Sequence, residues 1–232
     1  MCNIFVMNLI VRETEDYVVA FKESGLATVP VNASDVKPTL LNQLADWCPE
    51  VLSVCGRRLW EGGALHRLDT VTSGLVLFAK NQAFYDCMQM KQKNNLFVKT
   101  YIAKVTFSDG ADRFLPEKIT TFFKPYGPGR KAVKAVTDSK FLKNTKMYTT
   151  FFDFNGKDTV SCTIVNGFRH QIRCHLSYLN APINGDSLYG SLSLPNNGKG
   201  IDLCCMKLSF PYNGETVVIE IPQSQVPHWA RM

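Results

Sequence analysis

The chain contains 232 residues, and its 26 Lys and Arg residues against 20 Asp and Glu residues give a formal net charge of +6. Apolar residues make up 45% and charged residues 20% of the sequence, which excludes a disordered chain and a collagen-like repeat. No apolar run approaches the roughly 18 residues that a membrane span needs. The apolar stretch at 1–11 lacks the basic start and the cleavage site of a secretory signal, so we expect a folded cytoplasmic protein.

The cysteines and histidines predict no metal site. None of the eight cysteines has the C-x-x-C spacing that is typical of zinc sites. An even number of cysteines can indicate disulfides, but a chain of this length buries a core without them, so we interpret them as reduced thiols. His170 and His175, with Cys174 between them, leave a metal site as the alternative, although no further cluster of ligands is visible.

Strand-like segments are more numerous than helical ones. In the segment 97–107 the residues alternate, which places Lys99, Tyr101 and Ala103 on one face of a strand. Asn155 and the following glycine are typical of a hairpin turn between two strands. The predicted extended segments are 17–21, 26–31, 74–79, 97–107, 147–154, 159–165, 203–210 and 216–221.

Three helices complete the predicted elements. Leucines at helical spacing predict a helix at 40–48, and Asn81 is placed to cap a second one. A third helix follows Gly167 and carries Ile172 and Leu176 on one face. Because the strands follow one another mostly through short turns, we expect an α+β fold with a mixed, largely antiparallel sheet flanked by a few helices.

Four ordered segments carry the chemical information. Residues 66–74 are H-R-L-D-T-V-T-S-G, and residues 99–105 are K-T-Y-I-A-K-V. Residues 170–176 are H-Q-I-R-C-H-L, followed at 182–190 by P-I-N-G-D-S-L-Y-G, and residues 21–26 are F-K-E-S-G-L. In type, spacing and order these segments resemble the RluA family of pseudouridine synthases. The resemblance extends from about residue 17 to residue 222.

Two positions depart from the family pattern. Glu23 stands where the family has a proline after its first lysine. The family sequence G-R-x-H-Q becomes G-F-R-H-Q at 167–171, so Arg169 lies one place later and is expected to take over the role of the shifted arginine. The small N-terminal RNA-binding domain of many relatives has no room here. We therefore expect residues 1–232 to form a single catalytic domain.

The resemblance implies a pseudouridine synthase fold and an isomerase. Its reaction detaches the base of a uridine in RNA, turns it and rejoins it to the ribose through carbon. Nothing is oxidised and no group is imported, so the resemblance implies neither a cofactor nor a metal. The implied partner is a structured RNA, either rRNA or tRNA, with no membrane, no obligatory protein partner and a monomeric enzyme.

Three residues are implied as the catalytic set. Asp69 matches the family's catalytic carboxylate, which acts as a nucleophile or as a base on the ribose. Arg173 matches its basic partner, whose charge opposes the rise in pKa that burial of the carboxylate causes. Tyr101 matches the tyrosine that stacks on the target base. Without the flanking motifs, Asp69 would be interpreted as a turn residue and Tyr101 as a core aromatic.

Five further residues are expected to contact RNA. Arg67 matches the residue that fills the gap left by a flipped base, its alternative being a surface contact to phosphate. His66 and Arg169 lie beside the catalytic motifs, and His66 is expected to shape its loop rather than to perform chemistry. The segment 118–146 has eight basic residues against one acidic residue, and it is either a solvated loop or a contact to the RNA backbone, with the resemblance favouring the second. Its two candidate contacts are Lys131 and Lys134.

The sequence disfavours two other functions. A catalytically inactive RNA-binding protein of the same fold is disfavoured because Asp69, Tyr101 and Arg173 are present together. A phosphate-ester hydrolase needs a metal cluster or a nucleophile with its base, and neither pattern appears in the sequence. Asp186 is interpreted as part of a turn, with a second catalytic acid as the alternative.

Overall fold

The computed structural model describes residues 9–107, 114–138, 140, 146–154, 158–190 and 200–231. Within these residues the chain forms ten strands and four α-helices. The predicted turn at 155–156, most of the apolar stretch at 1–11 and residues 191–199 lie outside the described residues. No described helix has the length and the apolar character needed to cross a bilayer.

The bounds of the elements agree with most of the sequence predictions. The strands are β1 (Ile10–Glu13), β2 (Tyr17–Lys22), β3 (Ser73–Ala79), β4 (Val98–Lys104), β5 (Lys118–Tyr126), β6 (Ala132–Val136), β7 (Tyr148–Phe154), β8 (Thr159–Ile164), β9 (Leu203–Tyr212) and β10 (Glu215–Glu220). The helices are α1 (Leu40–Ala45), α2 (Glu50–Ser53), α3 (Gln82–Lys93) and α4 (Gln171–Tyr178).

The described strands form one mixed sheet. Their order is β1-β2-β3-β9-β4-β8-β7-β5-β6, and β10 pairs with the C-terminal half of β9. Neighbouring strands are antiparallel except β3 and β9, which run parallel where Ser73 and Gly74 face Cys204 and Cys205. The α+β, largely antiparallel architecture expected from the sequence is confirmed.

Strand β3 lies at the centre of the core and explains one glycine of the H-R-L-D motif. All seven of its residues are buried. Gly74 has a φ of +119°, and a Cβ at this position would overlap the backbone of Cys205 on β9. Glycine is therefore required where the strand that follows the motif enters the sheet.

Strand β4 has the alternation that the sequence predicted. Lys99, Tyr101 and Ala103 are buried, whereas the residues between them are partly exposed. Lys99 is only 4% exposed, and its ammonium donates to the carbonyl of Phe97 and lies 4.1 Å from the centre of that ring. This lysine is therefore part of the core.

Burial of Lys99 predicts a pH-dependent contribution to stability. Desolvation lowers the pKa of Lys99 from 10.5 to about 8. Between these pH values the unfolded chain keeps a proton that the folded chain has released, so the free energy of unfolding rises with pH. We expect wild type to gain about 3 kcal/mol relative to Lys99→Met between pH 8 and pH 10.5, as measured by urea unfolding. A difference that stays constant over this range would contradict the prediction.

Helices α1 and α3 begin at side-chain caps. The Thr39 hydroxyl accepts from the backbone N–H of Asn42, and the Asn81 side chain accepts from that of Phe84. The prediction that Asn81 caps a helix is thus confirmed. The predicted extended segment at 26–31 is wrong, because only Ala27 forms an isolated bridge there.

Two predictions about the second half of the chain were incomplete. Residues 118–136 of the basic segment do not form a solvated loop: β5 and β6 pair there as an antiparallel hairpin, called the basic hairpin below. Helix α4 is buried on more than one face, because the basic hairpin packs against the side opposite Ile172. This second small core contains Phe123, Val133, Ala135 and Cys174.

Candidate active site

Asp69 lies on a loop at 65–72, called the Asp69 loop, which leads into β3. Hydrogen bonds from the segment at 22–28 hold the carbonyl groups of this loop. Thr28 Oγ1 donates to the Leu68 carbonyl at 3.0 Å, and Ser24 Oγ donates to the Val71 carbonyl at 2.7 Å. The backbone around Asp69 is thereby fixed from a distant part of the chain.

Lys22 is the most deeply buried of these donors. Its side chain has no exposed surface, and its ammonium donates to the carbonyls of Glu23, Leu26 and Thr70 at 2.9, 2.6 and 3.2 Å. Burial lowers the pKa of Lys22 to about 8, although the charge of Asp69 opposes this shift. The lysine of the F-K-E-S-G-L segment thus supports the Asp69 loop.

Arg173 lies in the first turn of α4 between two carboxylates. Its guanidinium makes a bidentate contact with Asp186, at 2.7 and 2.8 Å, and its Nη1 donates to Asp69 Oδ2 at 2.9 Å. The side chain of Asp186 is fully buried, whereas that of Asp69 is 25% exposed. Asp69 is therefore the carboxylate of this pair that a substrate can reach.

The two carboxylates favour the charged form of the Arg173 guanidinium. Burial alone would lower the pKa of Arg173, but Asp186 and Asp69 raise it above its ordinary value. The guanidinium stays protonated and neutralises the buried Asp186 carboxylate. Because Asp186 holds the Nε and Nη2 groups of Arg173, its Nη1 group is pre-oriented toward Asp69.

Tyr101 closes another side of the site. Its side chain is buried on β4, and burial raises the pKa of its hydroxyl well above 10, with Cys205 and Asp69 adding to the shift. The phenol therefore remains neutral and can offer a flat ring and a hydroxyl beside Asp69.

His66 and Arg67 occupy different environments on the Asp69 loop. His66 faces inward, where its Nε2 accepts from the backbone N–H of Leu77 at 3.2 Å and its ring packs edge-on against Phe97. Burial lowers its pKa well below 6.5, so the ring is neutral. The Arg67 side chain is 58% exposed and forms an ion pair with Glu61 at 2.8 Å. A contact of either residue with RNA stays a prediction.

The other three predicted RNA contacts are associated with the basic hairpin. Arg169 Nη2 donates to the carbonyls of Arg130 and Ala132, at 2.7 and 3.1 Å, and so joins the start of α4 to the hairpin. Lys131 and Lys134 are exposed on the hairpin. The arginine that is shifted by one place thus has a defined contact to the backbone, and its role toward RNA stays a prediction.

His170 and Tyr189 adjoin the site, although neither was among the predicted catalytic or RNA-binding residues. His170 has a left-handed backbone, with φ of 58°, immediately before α4. Its Nε2 lies 3.8 Å from Asp69 Oδ2, and its Nδ1 lies 3.0 Å from the Tyr189 hydroxyl. The Tyr189 ring also packs against the Arg173 guanidinium at 5.2 Å.

The structure thus gathers the catalytic candidates from remote parts of the chain. Asp69, Tyr101 and Arg173 come together, and Arg67 lies near them on the exposed side of the Asp69 loop. Asp186 was predicted to be part of a turn, and its bidentate contact with Arg173 was not predicted. A signal was available, because an arginine in a helix with apolar neighbours needs a buried carboxylate partner.

Comparison with known proteins assigns the chain to a family. The family model described as RNA pseudouridylate synthase matches residues 16–178. The ribosomal large subunit pseudouridine synthase D of Neisseria meningitidis is 28% identical over 225 residues, covering 92% of this chain and 57% of that protein. The mitochondrial tRNA pseudouridine(32) synthase of Saccharomyces cerevisiae is 29% identical over 194 residues, covering 82% of this chain and 39% of that protein.

Solved structures agree on the fold. The structure of human RNA pseudouridylate synthase domain containing 1 superposes with a TM-score of 0.66 at 24% identity, covering 96% of this chain and 86% of that one. The chain spans about half the length, or less, of the two curated relatives. The family model, the relatives and the fold agree with the motifs around Asp69 and Arg173, and the chain belongs to the RNA pseudouridylate synthase family.

Proposed function

We propose that this chain isomerises selected uridines of a structured RNA to pseudouridine, with Asp69 as the catalytic carboxylate. One observation carries the proposal. The Asp69 carboxylate is partly exposed and accepts a hydrogen bond from Arg173 Nη1. The Nε and Nη2 groups of Arg173 donate to the buried Asp186. A reactive carboxylate with a fixed cation and an open side suits attack on a ribose or removal of one of its protons.

The proposed roles follow from the positions of the side chains. Asp69 acts on the ribose of the target nucleotide, and the hydrogen bond from Arg173 Nη1 fixes the orientation of the Asp69 carboxylate. Tyr101 supplies a wall on which the detached base stacks while it turns. Arg67, exposed on the Asp69 loop, enters the space that the target base leaves in the RNA. The reaction requires neither a metal nor a cofactor, because it moves a glycosidic bond within one nucleotide.

The names of two relatives support a proposal about the class of RNA that is modified. One relative is named for ribosomal RNA and another for tRNA, so we propose one of these two RNAs as the substrate of this chain. We further propose that the enzyme acts as a cytoplasmic monomer without an obligatory protein partner.

Tritium release tests the proposed activity. Pseudouridine formation joins C5 of the base to the ribose, so the hydrogen at C5 leaves to solvent. We expect tritium release from rRNA or from tRNA that carries [5-³H]uridine, with EDTA present throughout. Binding of these RNAs without release would favour the inactive RNA-binding protein. The absence of both binding and release on every rRNA and tRNA would refute the proposal.

The exposed lysines of the basic hairpin predict a salt-dependent contact to the RNA backbone. Replacing both Lys131 and Lys134 by Gln removes two positive charges and leaves the apolar face of the hairpin intact. We expect weaker RNA binding. We also expect the plot of log Kd against the logarithm of the salt concentration to have a slope that is shallower by about 1.5 to 2. Filter binding at several salt concentrations measures this slope.

A variant with the same change in charge serves as the control. Lys91→Gln with Lys93→Gln alters the last turn of α3, away from the basic hairpin. We expect its salt slope to remain close to that of wild type. Equal slopes for wild type and the Lys131/Lys134 variant would exclude the basic hairpin as a contact to RNA.

A further inference from the structure

Two hydrogen bonds and one electrostatic contact lead from the basic hairpin to Asp69. The backbone N–H of Val133, on β6, donates to the Tyr189 hydroxyl oxygen at 2.8 Å. That hydroxyl lies 3.0 Å from His170 Nδ1, and His170 Nε2 lies 3.8 Å from Asp69 Oδ2. The last distance is too long for a hydrogen bond but short enough for an electrostatic contact to a carboxylate.

The chemistry of the two ends favours the direction in which the Tyr189 hydroxyl donates to His170 Nδ1. A backbone N–H can only donate, so Val133 uses the Tyr189 oxygen as an acceptor and leaves the phenol hydrogen for His170 Nδ1. In a neutral imidazole whose Nδ1 accepts, the proton is on Nε2. An ionised carboxylate can only accept, and a proton on Nε2 therefore suits its neighbour Asp69 as well.

The surroundings of His170 keep its ring neutral. Burial lowers the pKa of His170; the charges of Asp69 and Asp186 oppose this shift, and those of Arg173 and Arg169 reinforce it. Protonation would also place a hydrogen on Nδ1, where the Tyr189 hydroxyl already donates. The ring thus has one donor, Nε2–H, and that donor faces the catalytic carboxylate.

The basic hairpin is coupled to this region at further points. Cys174 Sγ donates to the Val133 carbonyl, and Arg169 donates to two hairpin carbonyls. The ring of Phe123, on β5, stacks on that of Phe168 with centres 4.9 Å apart. A displacement of the hairpin by bound RNA would therefore be transmitted to His170 and Tyr189.

We propose that Tyr189 and His170 are positioning residues that link the basic hairpin to the orientation of the Asp69 carboxylate. Arg173 and the Nε2–H of His170 both approach Oδ2 most closely, so together they hold this oxygen and leave Oδ1 to react. The inference rests on the proposed function and adds to it a means by which an RNA seated on the hairpin improves the geometry of catalysis.

Two substitutions of His170 separate this role from a purely structural one. The side-chain amide of Gln can place an N–H near the position of Nε2, whereas that of Asn reaches only the position of Nδ1. The left-handed backbone at His170 favours Asn over Gln. If His170 serves only the backbone turn, His170→Asn keeps more activity. If the Nε2–H of His170 acts on Asp69, His170→Gln keeps more activity than His170→Asn. We expect this second outcome, with a single-turnover rate at least about fivefold higher for His170→Gln.

Tyr189→Phe tests the other part of the link. It removes the hydroxyl and keeps the ring against Arg173. We expect a single-turnover rate about tenfold lower with the Kd for RNA changed less than threefold, whereas Tyr178→Phe on α4 serves as a matched control and leaves both unchanged. Comparable loss in rate and binding, or no loss of rate, would overturn the proposal.

A spectroscopic measurement keeps the inference independent of activity. In ¹⁵N-labelled protein we expect the His170 ring to be in the Nε2–H tautomer at pH 7 and to lose this preference in Tyr189→Phe. We also expect the ¹³C shift of the Asp69 carboxyl carbon to change in that variant. A wild type that releases no tritium would refute the proposed activity, yet these signals would still reveal the link. A dominant Nδ1–H tautomer, or an unchanged Asp69 signal, would contradict it.

Discussion

Asp69→Asn is expected to lower the single-turnover rate of tritium release by at least about 10⁴-fold, because an amide is neither a nucleophile nor a base at neutral pH. The amide oxygen can still accept from Arg173 Nη1, and the buried partner Asp186 remains in place. We therefore expect the variant to fold and to bind RNA with a Kd close to that of wild type.

The control for Asp69→Asn is the same substitution at an exposed carboxylate. Asp158 is 53% exposed and forms an ion pair with Lys104 at the last residue of β4. Asp158→Asn should retain the rate of wild type. Measurable turnover by Asp69→Asn, after correction for deamidation by mass spectrometry, would remove Asp69 from its proposed role.

Arg173→Met is expected to cost about 3 to 5 kcal/mol of unfolding free energy, because it leaves the buried Asp186 carboxylate without its counter-charge. The side chain of Asp186 has no exposed surface, so water cannot replace the lost guanidinium. For a chain of this size such a loss lowers the Tm by about 6 to 20 °C. Urea unfolding and calorimetry at neutral pH measure both quantities.

The mechanism of this loss can be tested by a second substitution. Adding Asp186→Asn to Arg173→Met removes the unpaired charge, and we expect the double variant to recover at least about 1 kcal/mol. Arg58, exposed and placed over the ring of Trp60, offers a control in which Arg→Met costs about 1 kcal/mol or less. A double variant no more stable than Arg173→Met would show that lost packing, and not the unpaired carboxylate, causes the effect.

The local features of the fold were largely predictable from the sequence. Alternation identified the buried face of β4, and the position of Asn81 identified the start of α3. The ordered motifs also pointed to Asp69 and Arg173 as partners, although 104 residues separate them. Sequence patterns succeed here because each one reflects a local period or a local cap.

The missed features depend on contacts between distant segments. The charges of the basic hairpin obscured its strands, although Phe123, Val133 and Ala135 point inward with the period of a strand while their basic neighbours point outward. Lys22 appeared only as part of a motif, and its three carbonyl partners become visible when the Asp69 loop is placed beside it. Such partners are set by tertiary packing and leave no local pattern.

The position of β9 has a consequence for how the enzyme is made. In the sheet, β9 separates β1, β2 and β3 from the other strands that precede it in the chain, and it begins only at Leu203. Asp69 immediately precedes β3 of the first group, and Arg173 follows β8 of the second group. During synthesis both groups of strands leave the ribosome before the strand that joins them, and pairings of such long range form slowly. The catalytic pair is therefore completed late, and a nascent chain that already contains Asp69 and Arg173 lacks the sheet that holds them in register.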